Sequence, residues 1–374
     1  MSKLRPVAES GSGRPGVLVR RLRHWLGAGG LLVPALAILA LAILALNLSG
    51  LIAIASFAAD RFTDQPIVIH TQTISNLAVR RPEQQRFGRL RFDGGLWLTS
   101  PNPHLGAVSG LRLLDANRLV AVTDTGFWLS ANIERDADGR PRAIASAVLS
   151  PMRDRLSDPV SRRYADDLEA VTVKDGAAFV TSERYLRVLR YDLDGGRLKG
   201  KAQFYGGQFP WGSMSTSFGL ESLATLPAAL SQRLPGFEFL TIVEGRPYET
   251  SAFRAFLISE SRASQFRIAR RGPFLITDAD FLPSGDLLIL ERYFSTLEGA
   301  RIRIRRIPGA DLRPQSQVDG TVLVTLGPGH AVDNMEGLSV FQHSNGDTRI
   351  ALISDDNKWP LQRTLYLEFT LLDD

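Results

Sequence analysis

An all-β propeller preceded by one transmembrane helix is the architecture this sequence predicts, and three observations predict it. A pattern of two apolar runs flanked by acids recurs five times along the chain. Turn-forming residues separate the two runs in most copies. A long stretch without charge precedes them all.

The recurrence carries the fold. It appears as "SGLRLLDANRLVAVTDTG" (109–126), "LEAVTVKDGAAFVTSER" (168–184) and "LESLATLPAALSQRLPGFEFLTIVEGR" (220–246). It returns as "DADFLPSGDLLILER" (278–292) and "DNMEGLSVFQHSNGDTRIALISDDN" (333–357). Copies begin roughly 50–60 residues apart, a spacing suited to propeller blades rather than to helical solenoids. Four copies turn on short Asp, Asn or Gly sequences: Asp115–Asn117, Asp175–Gly176, Pro283–Gly285 and Asn345–Gly346. The third has a longer loop through Pro227 and Pro235. Further strand-like segments lie between copies, among them "YLRVLRYDL" (185–193), "AFRAFLIS" (252–259) and "RIRIRRI" (301–307). Together these make about four strands per period, the content of a blade. The Arg/Ile alternation of 301–307 predicts a strand with one solvated face.

The ends of the chain predict ring closure. "TLYLEFTLL" (364–372) is a strand without a local partner, and "FGRLRFDGGLWLTS" (87–100) is strand-like near the other end. Pairing them in one blade removes two exposed edges. Five hairpins are clear and a sixth, degenerate blade is expected, with five blades as the alternative.

The N-terminal part differs in composition. Residues 1–30 hold six basic groups against Glu9, which accounts for the net charge of +5, and the rest is formally neutral. The high pI therefore gives no reason to expect nucleic acid as a partner. "LLVPALAILALAILALNLSGLIAIASFAA" (31–59) is long enough to span a bilayer. Arginines before it predict a cytoplasmic N-terminus, hence a single-pass inner-membrane protein with its propeller facing the periplasm. A cleaved signal peptide ending at "AIASFAA", with a secreted product, is the alternative. The predicted organisation is thus a basic tail (1–30), a transmembrane signal anchor (31–59), a linker (60–87) and the propeller (88–374).

In a hairpin, the start of the first strand lies beside the end of the second. The acids flanking each copy are therefore expected to converge at one mouth of the disc. The first-strand set is Glu169, Glu221, Asp278, Asp280 and Glu336, with Ser109 in the first copy. The second-strand set is Asp124, Glu183, Glu244, Glu291, Asp355 and Asp356, with Asn357. Carboxylates crowded at one opening repel unless a cation sits among them. Calcium, a hard ion taking six to eight oxygens, is the cofactor this set suggests. Glu169, Glu221, Glu336, Asp355 and Asp356 are expected as metal ligands or as groups that position water, the first three as catalytic residues, with Asp124 as a further ligand. Basic residues follow several of these acids: Arg184, Arg246, Arg292 and Lys358. Arg184, Arg292 and Lys358 would neutralise substrate charge, while Arg246, His330 and Asn357 would contact the substrate. The simpler alternative is that acid and base neutralise each other at a solvated rim, or that the acids bind backbone N–H groups between blades.

Other chemistries find no support. The chain has no cysteine, so thiolate nucleophiles and disulfides are excluded. It has no HExxH for zinc, no GxSxG nucleophile elbow and no EF-hand loop.

The segments "SGLRLL…LVAVTDTG", "DLEAVTV…FVTSER", "DADFLPSGDLLILER" and above all "DNMEGLSVF…ISDDN…QRTLYLEF" resemble the phytase-like propeller family, often labelled for an esterase-like activity of phytase. The resemblance covers roughly residues 88–374. It implies a propeller distantly similar to bacterial β-propeller phytases, in which channel-bound calcium serves phosphate-monoester hydrolysis. The expectation is an exported hydrolase acting on a small-molecule ester, most simply a phosphoester. A non-catalytic binding propeller and a lactonase-type metal-dependent hydrolase are the alternatives.

Overall fold

The computed structural model describes residues 63–372, apart from 155–167, 183–185, 207–218, 244, 247–250 and 296. The N-terminal segment 31–59 lies outside this set. Among the described residues no helix is long and apolar enough to cross a membrane.

The strands form five antiparallel blades. The first runs from the inside outward through Val108–Asp115, Arg118–Thr123, Phe127–Arg135 and Pro141–Pro151, with Gln65–Pro66 at its outer edge. The second holds Leu168–Lys174, Ala177–Ser182, Arg187–Asp194 and Arg197–Tyr205. The third holds Leu220–Thr225, Phe239–Val243, Phe253–Ile258 and Ala263–Ile268, plus the short parallel strand Gln317–Val318. The fourth holds Leu275–Phe281, Leu287–Ser295, Gly299–Ile307 and Thr321–Leu326. In the fifth, Met335–Gln342, Thr348–Ser354 and Thr364–Leu371 continue into Leu90–Thr99 and His70–Ile74. Each predicted hairpin is thus the inner pair of a blade.

Six blades are not formed. The two terminal segments expected to close the ring do pair, Leu371 with Leu90 through Thr364 with Leu98, but they do so inside the fifth blade. They supply its third and fourth strands and leave nothing over for a sixth. The five apolar clusters give the same count, because each fills one interface between neighbouring blades. Blades 1 and 2 share Val120, Trp128 and Tyr191, whereas blades 5 and 1 share Leu96, Leu111 and Tyr366. The remaining three clusters join blades 2 to 3, 3 to 4 and 4 to 5.

This sandwiching explains the sequence pattern. Strands such as Ala177–Ser182 and Thr364–Leu371 are buried along almost their whole length because both faces meet another blade. The outermost strand Arg197–Tyr205, with no neighbour beyond it, is mostly exposed. Turn chemistry sets the hairpin register. Asp175 and Gly176 both take positive φ (49° and 74°), as a two-residue primed turn requires.

"RIRIRRI" alternates as expected but not for the expected reason. Arg303 and Arg305 are buried, and neither faces solvent. Arg303 donates to Glu291 (Nε–Oε2, 2.6 Å), and Arg305 holds both oxygens of the same carboxylate at 2.9 and 2.7 Å. Arg305 also reaches Asp319 at 2.9 Å. Glu291 is therefore committed to an internal ion network, away from the role of a mouth acid.

Candidate functional site at the propeller mouth

The same irregularity interrupts the inner hairpin of every blade. One extra residue bulges from the inner strand near its start. In blades 1, 3, 4 and 5 it is Ser109, Glu221, Thr277 and Glu336; in blade 2 it falls within Glu169–Ala170. A bulge leaves its residue off the hydrogen-bond ladder and re-aims the side chain. Glu169, Glu221 and Glu336 thus occupy repeating positions at the mouth end of the inner strands, and all three are partly exposed.

The ends of the second strands complete the set. In blades 1, 4 and 5 the residues pairing with Val108, Ile276 and Met335 are Thr123, Glu291 and Ser354. The next residues along are Asp124, Arg292 and Asp355. Arg292, rather than Glu291, therefore occupies in blade 4 the position of the aspartates in blades 1 and 5. Glu183, Arg184 and Glu244, which follow the second strands of blades 2 and 3, lie outside the described residues, as does most of the expected rim loop 207–219.

Blades 5 and 1 bring several acids together. Asp355 is buried, and its pKa is pushed up to about 8, first by burial and then by the charges of Asp124, Glu336 and Asp356. Its N–H donates to the Asn334 carbonyl at 2.9 Å, and its Oδ1 accepts the Asn357 N–H at 2.6 Å. Ser109 donates its hydroxyl to Asp124. Asn334, which no motif in the sequence marks, links the two sides. Its amide donates to Glu336 (2.9 Å) and its oxygen accepts from Arg292. Arg292 also pairs with Glu336 across the blade 4–5 boundary, N to O 3.2 Å.

The other expected residues make the following contacts. Asp356 accepts the N–H groups of Ala107 and Lys358, both at 2.9 Å, and the Thr364 hydroxyl at 3.0 Å. With both oxygens engaged it ties the 355–363 loop to blade 1. Asn357 and Lys358 adopt consecutive left-handed conformations (φ 47° and 51°), a costly backbone for residues with a Cβ. Asn357 donates to Gln362 at 3.1 Å, and the Lys358 amine donates to the Pro103 carbonyl at 3.1 Å. Arg246 is exposed. His330 packs edge-on against Phe87 and lies 3.0 Å through Nδ1 from the Gly327 carbonyl.

Asp278 and Asp280 are not mouth acids. They lie one and three residues beyond the blade-4 bulge, deeper along the inner strand. Asp278 accepts the Leu338 N–H and Asp280 the Val340 N–H of blade 5, each at 2.8 Å. Between them and blade 1 sits Arg112, which contacts carbonyls of four blades: Leu111, Leu223 (2.8 Å), Ala279 (2.9 Å) and Leu338. It also reaches Asp278 at 3.2 Å. Burial pushes Asp278 up to about 7, opposed first by Arg112 and then by the backbone N–H groups it accepts. Burial lowers the Arg112 pKa, but Asp280 and Asp278 outweigh it and raise it overall.

The donor set at the mouth, carboxylate and amide oxygens, fits calcium in kind. Among the described residues no three acids or histidines stand close enough to enclose an ion.

A comparison with curated proteins finds no match. Solved structures to which this chain is distantly similar include the PQQ-bound aldose sugar dehydrogenase of Streptomyces coelicolor, at 12% identity and a TM-score of 0.34 over 81% of this chain and 99% of that one. A protein of unknown function from Dyadobacter fermentans is similar at 10% identity and a TM-score of 0.39, over 83% and 98% of the two chains. A family model described as phytase-like, esterase-like activity of phytase, matches residues 103–358. That span holds well over half of the sequence, from the loop before the first inner hairpin to the acid-bearing loop of the last, and the chain belongs to the phytase-like family.

Proposed function

We propose that this protein is an exported, membrane-anchored hydrolase that cleaves an ester, most simply a phosphoester, at the propeller mouth with calcium as its cofactor. The observation that carries the reading is the environment of Asp355. A buried carboxylate whose main charged neighbours are three further carboxylates is costly in isolation, and a divalent cation removes that cost. Asp124, Glu336 and Asp355 would hold the ion by drawing closer together than they stand here, with Glu169 and Glu221 extending the acidic ring. Bound calcium would supply Lewis-acid polarisation of the substrate oxygen.

The chain's own residues would do the rest. Asp356 fixes the loop that presents Asp355, and Asn334 orients Glu336. Arg292, at the place of an acid, would give a substrate anion a cationic contact opposite the carboxylates, exchanging its bond to Glu336 when the site fills. The apolar segment 31–59 would hold the propeller to the bilayer on the periplasmic side.

A panel of phosphomonoesters, carboxylic esters and lactones, assayed with calcium and with chelator, tests this reading. The expected result is calcium-dependent phosphoester hydrolysis that falls at least about tenfold in Asp355→Asn, the scale of removing one group from a catalytic site. Lactone turnover without phosphoester turnover would contradict it. A non-catalytic binding propeller is the second reading. It is favoured by the spacing of the described acids, which do not enclose an ion, and it predicts no turnover on any of these substrates.

A further inference from the structure

The exposed large hydrophobic side chains are one-sided. Val68, Val79, Trp97, Phe204, Phe294, Leu297, Trp359 and Leu361 all lie at, or within a few residues of, strand ends on the mouth side. Leu297 is 95% exposed, Leu361 79% and Phe294 63%. The turns of the opposite side, including Asp115–Asn117, Asp175–Gly176, Ser284–Gly285 and Asn345–Gly346, carry none among the described residues. A chance scatter of surface apolar groups needs no explanation, but a collar confined to one end does.

The two most prominent groups flank the candidate site. Phe294 and Leu297 belong to the blade-4 hairpin that runs on beyond Arg292. Trp359 and Leu361 belong to the loop that follows Asp355, which is held on one side by Arg363–Asp333 (3.3 Å) and on the other by Lys358–Pro103. The blade-4 hairpin continues past Arg292 through the pairs Phe294–Ala300 and Ser295–Gly299.

The chain also enters the propeller on this side. Gln65 pairs with Leu149 near the mouth end of blade 1 and accepts a bond from Asn102 (2.9 Å), one residue from the Pro103 that Lys358 contacts. Residues 60–64 separate Gln65 from the apolar run that ends at Ala59, a reach of about 20 Å fully extended.

We propose that the mouth face docks on the surface of a lipid bilayer, with Phe294, Leu297, Trp359 and Leu361 inserted at the level of the headgroups. Trp and Phe with Leu on projecting loops suit that depth, where an apolar body is buried and the adjacent backbone stays wet. The acids within the mouth give anionic lipid no advantage, so the contact is apolar and zwitterionic lipid suffices. The docking rests on the anchored reading of residues 31–59, and it goes beyond that reading by fixing which face meets the membrane.

The chain has no cysteine, so single labels are placed cleanly. Full-length Leu297→Cys, Leu361→Cys and Ser284→Cys, each carrying an NBD fluorophore, are reconstituted with phosphatidylcholine vesicles containing brominated acyl chains. Flotation first reports whether the chain is held by the membrane. The expected result is co-flotation of all three, loss of NBD emission at 297 and 361, and none at 284. Co-flotation without quenching at 297 and 361, or with equal quenching at 284, overturns the docking while leaving the anchor intact. Failure to float overturns the anchored reading and the docking together. A concentration-dependent blue shift at 297 and 361 in detergent, without lipid, would assign the collar to a second copy of the chain and also overturn the proposal.

Discussion

The mouth and the axis of this propeller use the same residue type in opposite ways. At the axis, Asp278 and Asp280 face Arg112 and each accepts a backbone N–H from the next blade. At the mouth, Asp355 faces Asp124, Glu336 and Asp356. The axial acids are compensated within the fold and their work is to join blades. Around Asp355 folding brings like charges together, with Arg292 offsetting Glu336 from one side, an arrangement that costs stability unless a cation adds to that compensation. Asp278 and Asp355 are both buried, and what differs between them is the sign of the neighbouring charge.

The largest effect is expected at the axis. Arg112→Met removes a cation shared among four blades and leaves the buried Asp278 and the half-buried Asp280 without it. A loss of about 3–5 kcal/mol is expected, read by urea denaturation. Adding Asp278→Asn should recover part of that loss, whereas adding Asp355→Asn should not restore the axial pairing. If Arg112→Met proved neutral, the axis would not be the compensated region that the contrast requires.

A second compensated acid gives the next effect. Glu291→Gln leaves Arg303 and Arg305 without the carboxylate they share. It should cost about 2–4 kcal/mol by the same measurement, since breaking a buried pair from one side leaves the other charge stranded.

The mouth should respond with the opposite sign. Because the Asp355 pKa is raised to about 8, the folded protein binds more protons there than the unfolded chain across the window from roughly 4 to 8. Without metal, its contribution to stability is present below the ordinary carboxylate pKa and is lost as pH rises through about 8. Asp355→Asn keeps an acceptor for the Asn357 N–H but removes the charge. In chelator it should stabilise the protein by about 1–3 kcal/mol at pH 9 and by little at pH 5. A uniform destabilisation at both pH values would mean that Asp355 is a structural acid like Asp278.

The smallest effect sharpens the boundary between the regions. Asn334→Ala removes the amide linking Glu336 to Arg292, at the partly exposed edge of the mouth. A cost of about 1 kcal/mol is expected, with a change in calcium response larger than the change in stability.

Much of the fold was legible because each hairpin declares itself locally. Continuous apolar runs and turn residues such as Asp175–Gly176 set the inner strands without reference to the rest of the chain. Closure was legible for the same reason, since Leu90–Thr99 and Thr364–Leu371 had no local partners. The blade count was not, because pairing across the whole length of the chain decides whether two leftover strands make a new blade or complete an old one. At the mouth, Glu169, Glu221 and Glu336 repeat at one position of the inner strand, but the bulge that sets the position is a feature of register. In blade 4 that register places Thr277 at the repeat and sends Asp278 and Asp280 to the axis. The alternation of Arg303 and Arg305 was legible too. Their burial was not, because it depends on Glu291 and Asp319 arriving from elsewhere.

The central claim is that the mouth acids await a divalent cation, and one measurement tests it directly: the thermal midpoint of the full-length protein and of Asp355→Asn across a calcium titration at pH 8. A ligand that binds only the folded state stabilises it by RT ln(1 + [L]/Kd), so the midpoint keeps rising with ligand concentration. The expected result is a rise of several degrees in the unsubstituted protein and a flat response in Asp355→Asn. A flat response in both, or the same rise in both, would contradict the claim.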